Sequence, residues 1–280
     1  MSHSTDGELW AAAELRRLRA CRFMPSAWVR LISSSFSRAA QTRTTRQGLA
    51  RQARRWCGIG AGAGVGLCAA RPALRSRAPA FLGWWLGVSA MLDWHLGMVE
   101  GQSGEPRQQL SVAAALTLVR LWLVPFLAAA EQPASFTALI LGAALTDTLD
   151  GPLARRLGPT RLGRDLDRTA DVVVMLAAAS ATARGGWLAR PVRRLLILRG
   201  SLPVAFVAGG YLIQAARPPA AELGSFRRFA PVLIAGLALA PGCPRCGNTL
   251  VTLAAGGPMA VAAIRFSSRP RRAAARVGPA

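Results

Sequence analysis

The sequence has no lysine: all 35 of its basic residues are arginine, set against 13 acids for a formal charge of +22 over 280 residues. The missing lysine points to a GC-rich genome and carries no functional weight. Acids are scarce, and charged residues make up 17% of the chain rather than the usual quarter or so of a soluble domain. Together with the imbalance of sign, this argues against an ordinary soluble enzyme. Cysteines are few as well. Cys21, Cys57, Cys68, Cys243 and Cys246 are too scattered to form a disulfide framework in a chain of this size. Cys243-Pro-Arg-Cys246 is the one close pair. With no second pair and only His3 and His95 elsewhere it argues against zinc, and it reads as two small residues in a loop. No cleavable signal peptide is expected, because Glu8 and Glu14 interrupt the first apolar stretch.

What is present is apolar. A hydrophobic content of 52% excludes a disordered tail protein, and a mean hydropathy of +0.29 with 28 glycines points to membrane helices packed through small residues. The charge of +22 then has two readings, a nucleic-acid binder or a membrane protein whose loops carry arginine against anionic headgroups. Residues 1–56 form a basic extension, open to disorder, with eleven arginines against Asp6, Glu8 and Glu14. Residues 57–105 hold two apolar segments of uncertain membrane association; 58–70 is short of the ~20 residues that a span requires. Six stronger windows follow at about 110–130, 134–155, 166–183, 195–215, 229–241 and 249–264. The expected fold is therefore all-α: a polytopic transmembrane bundle of six core helices over residues 106–266, one or two further N-terminal apolar helices, and a basic tail at 267–280. Arg155, Arg156, Arg161, Arg164 and Arg168 lie on the same side as the tail, which places both in the cytoplasm. Arg184, Arg190, Arg193 and Arg194 fall on the opposite side, against that orientation.

The placement of the acids is more informative than their number. Five of the 13, all aspartate, fall between residues 147 and 171, and a charge inside an apolar helix costs a few kcal/mol unless it meets a partner or a wet cavity. Asp147 and Asp150 are three apart, with Gly151 and Ala154 along the same helix. Asp167 and Asp171 are four apart, with Gly163 a turn earlier. Gly158-Pro159 breaks the chain between them, so two antiparallel helices can bring the acidic faces together. Four carboxylates without local His or Cys form a hard oxygen site suited to Mg²⁺ or Mn²⁺, and two ions about 4 Å apart would suit phosphoryl chemistry. Pairing with linker arginines would account for one pair of acids, not for two pairs with matched glycines. Asp165 lies off the shared face and is expected to pair with an arginine. Arg199, inside an apolar stretch, reads either as a contact for an acceptor phosphate or as a snorkelling or interhelical residue.

Asp147-Thr-Leu-Asp150-Gly151-Pro-Leu-Ala154-Arg155, followed by Gly163-Arg-Asp-Leu-Asp167-Arg-Thr-Ala-Asp171, resembles the signature of the CDP-alcohol phosphatidyltransferase family, class I integral membrane enzymes. That signature reads D-x-x-D-G-x-x-A-R-x8-G-x-x-x-D-x-x-x-D, and this chain has seven residues where the signature has eight. Leu116-Thr117-Leu-Val-Arg120-Leu-Trp-Leu-Val-Pro125 is a weaker echo of the family's first core helix. The resemblance covers roughly residues 110–265. It implies a two-metal enzyme of phospholipid biosynthesis that moves a phosphatidyl or similar group from a CDP-linked lipid to an acceptor alcohol and releases CMP. It further implies that Asp147, Asp150, Asp167 and Asp171 hold the metals, that Asp171 is the base, and that Gly151, Ala154, Arg155 and Gly163 border the CDP moiety. A multi-pass protein of the plasma membrane, with its site facing the cytoplasm and a tendency to homodimerise, is the corresponding expectation. The alternatives are a catalytically inactive member of the same fold and an ion-coupled transporter using the aspartates as an ion site. Nucleic-acid binding by residues 1–56 would not displace the enzyme reading.

Overall fold

Ser111, where an apolar run begins, and Thr160, just after the Gly158-Pro159 break, each cap a helix. Ser111 Oγ accepts from the Ala114 amide (3.2 Å) and Thr160 Oγ1 from the Gly163 amide (3.0 Å), satisfying donors that a helix start leaves open. The structure, a computed structural model, describes residues 5–101, 103–210, 212 and 229–274. The expected tail therefore lies partly outside the described residues, as does the end of the 195–215 window. Among the described residues are ten α-helices: α1 (Asp6–Ala20), α2 (Pro25–Thr45), α3 (Gln47–Ala70), α4 (Ala78–Trp94), α5 (Val112–Ala128), α6 (Pro133–Leu157), α7 (Arg161–Gly185), α8 (Arg190–Gly209), α9 (Ala230–Leu239) and α10 (Pro244–Ala274). They contain no strand beyond an isolated bridge between Glu100 and Pro106. The all-α class holds, and the six core windows correspond to α5 through α10.

Spanning length is another matter. Among the described residues no helix is long and apolar enough to cross a membrane. The strongly apolar helices are short: α4 and α5 have 17 residues each, about 26 Å at 1.5 Å per residue against a hydrocarbon core of about 30 Å. Of the longer ones, α3 opens with Arg51, Arg54 and Arg55, and α6 and α7 carry the aspartates and linker arginines.

Two buried clusters hold the helices together. The first joins α3 and α4 to one end of α5 and α7 through Leu49, Phe81, Trp85, Leu92, Leu121 and Leu166. The second joins the other end of α5 and α7 to α6, α8, α9 and α10 through Leu127, Phe136, Ala178, Leu196, Leu233 and Val251. Trp84, Leu139 and Val173 touch both. Buried Trp85 and half-buried Trp84 and Trp122 keep their indole N–H groups paired by donating to helix carbonyls: Trp84 to Leu121 (2.8 Å), Trp85 to Cys57 (2.7 Å) and Trp122 to Gly60 (2.9 Å).

Residues 1–56, expected as a basic extension open to disorder, hold α1, α2 and the start of α3 in their described part. A reciprocal capping box between Thr5 and Glu8 starts α1. The extension is tied to the remainder by Arg43 to Asp93 (2.5 Å), by the Arg46 guanidinium to the Val99 carbonyl (3.2 Å), and by Gln52 Oε1, which accepts from the Leu110 amide (2.8 Å). Cys243 and Cys246 also differ from the loop reading. Pro244 opens α10, one helical turn sets the two Cα atoms 5.4 Å apart, and the cysteines are joined as a disulfide, a separation that such a bond spans readily.

The α3–α4 contact supplies a test. A Cβ at Gly64 would sit 2.0 Å from the Phe81 ring, whereas one at Gly66 meets nothing within 4 Å. Gly64→Ala is expected to lower stability by about 1–3 kcal/mol through overpacking. Gly66→Ala should be neutral or stabilising, since alanine favours the helix by up to about 1 kcal/mol. Thermal unfolding of the purified protein distinguishes them, and equal midpoints would refute the close α3–α4 approach.

Candidate active site

α6 carries Asp147 and Asp150, and α7 carries Asp167 and Asp171. Between the helices only Gly158, Pro159 and Thr160 remain. Gly158 adopts φ +84°, a conformation glycine supplies at little cost, and a Cβ there would lie 2.7 Å from the Arg107 guanidinium. The seven-residue interval between Arg155 and Gly163 thus closes the turn, and both acidic faces converge.

They converge on an arginine. Arg120, from α5, is 1% exposed. Its Nη1 lies 3.1 Å from Asp147 Oδ1, 3.1 Å from Asp167 Oδ1 and 2.8 Å from Asp171 Oδ1, and its Nη2 donates to Asp150 Oδ2. Thr117, one turn earlier, donates to the Ala113 carbonyl (3.1 Å) and lies 3.5 Å from Asp150 Oδ2. One guanidinium among four carboxylates leaves a formal charge of −3, and in a partly buried site that charge attracts cations. The acids are graded in depth. The side chains of Asp150 and Asp167 are 11% and 16% exposed, those of Asp147 and Asp171 43% and 44%. Carboxylate oxygens of Asp147, Asp150 and Asp167 lie within 4.8 Å of one another, close enough to hold a metal ion. Their all-oxygen donor set fits a hard divalent cation.

The remaining predicted residues sit around this cluster to differing degrees. Gly151 and Ala154 are half-buried on α6, and a Cβ on Gly151 would meet only Arg155 Nη1, at 3.5 Å. Arg155 is exposed. At Gly163 a Cβ would come within 3.0 Å of Thr160 Oγ1, the hydroxyl that caps α7. Asp165 pairs with Arg168 at 3.9 Å. Arg199 is buried on α8; its Nη1 donates to the Ala254 carbonyl of α10 (2.5 Å), and it interacts electrostatically with Asp171. Its hydrogen bond thus links two helices.

Thr117 and Arg120 are the site residues that the acidic motif does not contain. One signal for Arg120 is present in the sequence. It is the only charged residue between Arg107 and Glu131, and the cost of a lone charge in an apolar run marks it as strongly as it marks Arg199. That this charge meets the aspartates cannot be read from α5 alone.

A bundle of helices with four motif carboxylates gathered on one arginine defines a polar, cation-attracting site within an apolar protein. Residues 110–264 match the profile of the CDP-alcohol phosphatidyltransferase family, and the chain belongs to that family. The chain is also similar to the CDP-diacylglycerol–serine O-phosphatidyltransferase of Mycobacterium leprae (strain TN), with 38% identity over 89 residues. That similarity covers 29% of this chain and 28% of the relative, so the chain spans little more than a quarter of the curated relative it matches. No solved structure matches.

Removing Arg120 would leave carboxylates from two helices facing one another without compensation. Arg120→Met is expected to destabilise the metal-free protein by about 3–5 kcal/mol, the usual cost of breaking a buried pair from one side, with partial recovery on adding Mg²⁺. Thermal unfolding in chelator and in Mg²⁺ reads both effects. An unchanged midpoint in chelator would show that Arg120 does not hold the cluster.

Proposed function

We propose that the chain transfers a phosphatidyl or similar phospho-alcohol group from a CDP-linked lipid, such as CDP-diacylglycerol, to an acceptor alcohol, with release of CMP. The observation that carries this reading is the meeting of Asp147 and Asp150 with Asp167 and Asp171, in the family's motif order, at one point between α6 and α7. The acceptor oxygen attacks the phosphorus that bears the lipid; a new P–O bond forms as the bond to the CMP phosphate breaks. Asp171, one of the two outer acids, takes the proton of the attacking hydroxyl. Asp147, Asp150, Asp167 and Asp171 would hold two Mg²⁺ or Mn²⁺ ions, which would neutralise charge on the pyrophosphate and on the departing CMP. Arg120 keeps the carboxylates of both helices in register around that point. Gly151, Ala154 and Gly163 border the CDP moiety, where missing side-chain bulk lets it approach the helices, and Arg155 pairs with phosphate. Arg199 contributes positive charge toward an acceptor phosphate.

The donor's acyl chains put the reaction at a membrane. Supporting this, Leu86, Leu141 and Leu145 on the bundle exterior are 67%, 50% and 60% exposed, an arrangement that hydrocarbon accommodates and water does not favour. In this reading the protein works at the plasma membrane, its site facing the cytoplasm by the arginines of the α6–α7 turn, and forms homodimers. Serine, named for the mycobacterial relative, is one acceptor to be tried beside glycerol phosphate and inositol phosphate.

Incubation with labelled CDP-diacylglycerol and the acceptor panel should release CMP and yield one predominant lipid product. Activity should vanish in chelator and return with Mg²⁺ or Mn²⁺, and continued turnover in chelator would exclude the metal requirement. Asp171→Asn should slow CMP release about 10²–10⁴-fold, the range for loss of a positioned base. Unaltered release would remove Asp171 from that role.

A further inference from the structure

The segment before residue 110, outside the family match, presents an apolar stripe that the other described elements leave largely exposed. On α2, Val29, Ile32 and Phe36 recur at helical spacing and are 67%, 43% and 51% exposed; Trp28, 37% exposed, lies beside them. Exposed Ser33 and Ser37 run along one flank of the stripe. The helix is not free to roll and hide it. On its inner side Ser35 Oγ accepts from the Trp94 indole (2.9 Å) and Arg43 pairs with Asp93 (2.5 Å), and at the edge of the stripe one face of the Phe36 ring stacks on Trp94 with centroids 4.7 Å apart. Nor is it a spanning helix, since its 21 residues include Arg30, Arg38 and Arg43 and eight Ser or Thr.

The charge around the stripe identifies what covers it. Between Glu14 and Asp93 the chain has 14 arginines and no acid. Two copies meeting through α2 would bring like charges together, whereas a bilayer rich in anionic lipid offers apolar depth and opposite charge at once. We infer that α2 is an interfacial helix that lays Val29, Ile32 and Phe36 into the headgroup boundary of an anionic membrane. Its consequence reaches the site: α1 packs beside α2 and meets the start of α7 through Glu8 and Arg161 (3.9 Å), so seating α2 fixes the height of the α6–α7 turn above the lipid. The inference goes beyond the phosphotransfer reading and does not require it.

The test uses full-length protein in nanodiscs, with a nitroxide at Ile32→Cys or Ser37→Cys on a Cys21→Ser, Cys57→Ser, Cys68→Ala background. Collision with dissolved oxygen and with an aqueous nickel chelate is read by electron paramagnetic resonance. In discs of phosphatidylglycerol and phosphatidylcholine, the label at position 32 should be shielded from the chelate about tenfold more than that at 37, and should favour oxygen, as for a side chain below the headgroups. In phosphatidylcholine alone the difference should shrink markedly. Equal accessibility of both labels in anionic discs overturns the proposal. So does spin–spin broadening between labels at 32, which would place a second copy on the stripe. Equal shielding in both lipids overturns the role given to anionic charge. None of these readings depends on CMP release, so failure here and failure of the proposed reaction are separable.

Discussion

One buried guanidinium determines how the centre of this protein can be assembled. Arg120 sits among four aspartates from two helices, and each carboxylate alone would be costly beneath apolar surroundings. With the arginine present, α5, α6 and α7 share an electrostatic reason to meet at a single point. The arrangement neutralises only part of the charge, which leaves a site that attracts further cations. A buried ion pair is weak evidence for net stability, because desolvation offsets much of the attraction. Its value here is in register: a slip of α6 or α7 by one residue would turn its aspartates away from Arg120.

Packing is arranged around that point. α5 and α7 pass through both hydrophobic clusters, so the stretches holding Arg120, Asp167 and Asp171 are clamped from either end. The clamps are made in part of small residues. Ala177, Ala178, Ala179 and Ala181 are buried on α7, and Gly60 and Gly64 let the Trp85 and Phe81 rings lie against α3. Small side chains let these helices approach closely. The carboxylates stay in place because their backbones do.

Much of this was legible from residue types and spacing. Six apolar windows became α5 through α10, since apolar runs of that length, broken by Gly158-Pro159 or by arginine clusters, have few other ways to satisfy their backbone. The aspartate pairs, set three and four apart, had to share helix faces, and the antiparallel turn brought those faces together even with a residue fewer than the family signature. Less legible was the N-terminal part. The arginine-rich composition of residues 1–56 is that of a basic extension open to disorder, but Ser35 and Phe36 meet Trp94, and Gln52 meets Leu110, each 58 or 59 positions further along the chain. Such partners leave no periodic trace. The Cys243–Cys246 disulfide was likewise hidden by its position, because the turn that brings the sulfurs together belongs to a helix start.

By itself the sequence determined the helical class, the pairing of the aspartates and the family, because each depends on residue types at short spacing along one or two helices. The tertiary structure decided that Arg120 is the common partner of all four acids and that Arg199 is tied to Ala254. It also decided that α2 keeps its apolar stripe outward. Those outcomes depend on which helix lies beside which and at what rotation. That choice is made by the packing of whole faces, and no local stretch of residues contains it.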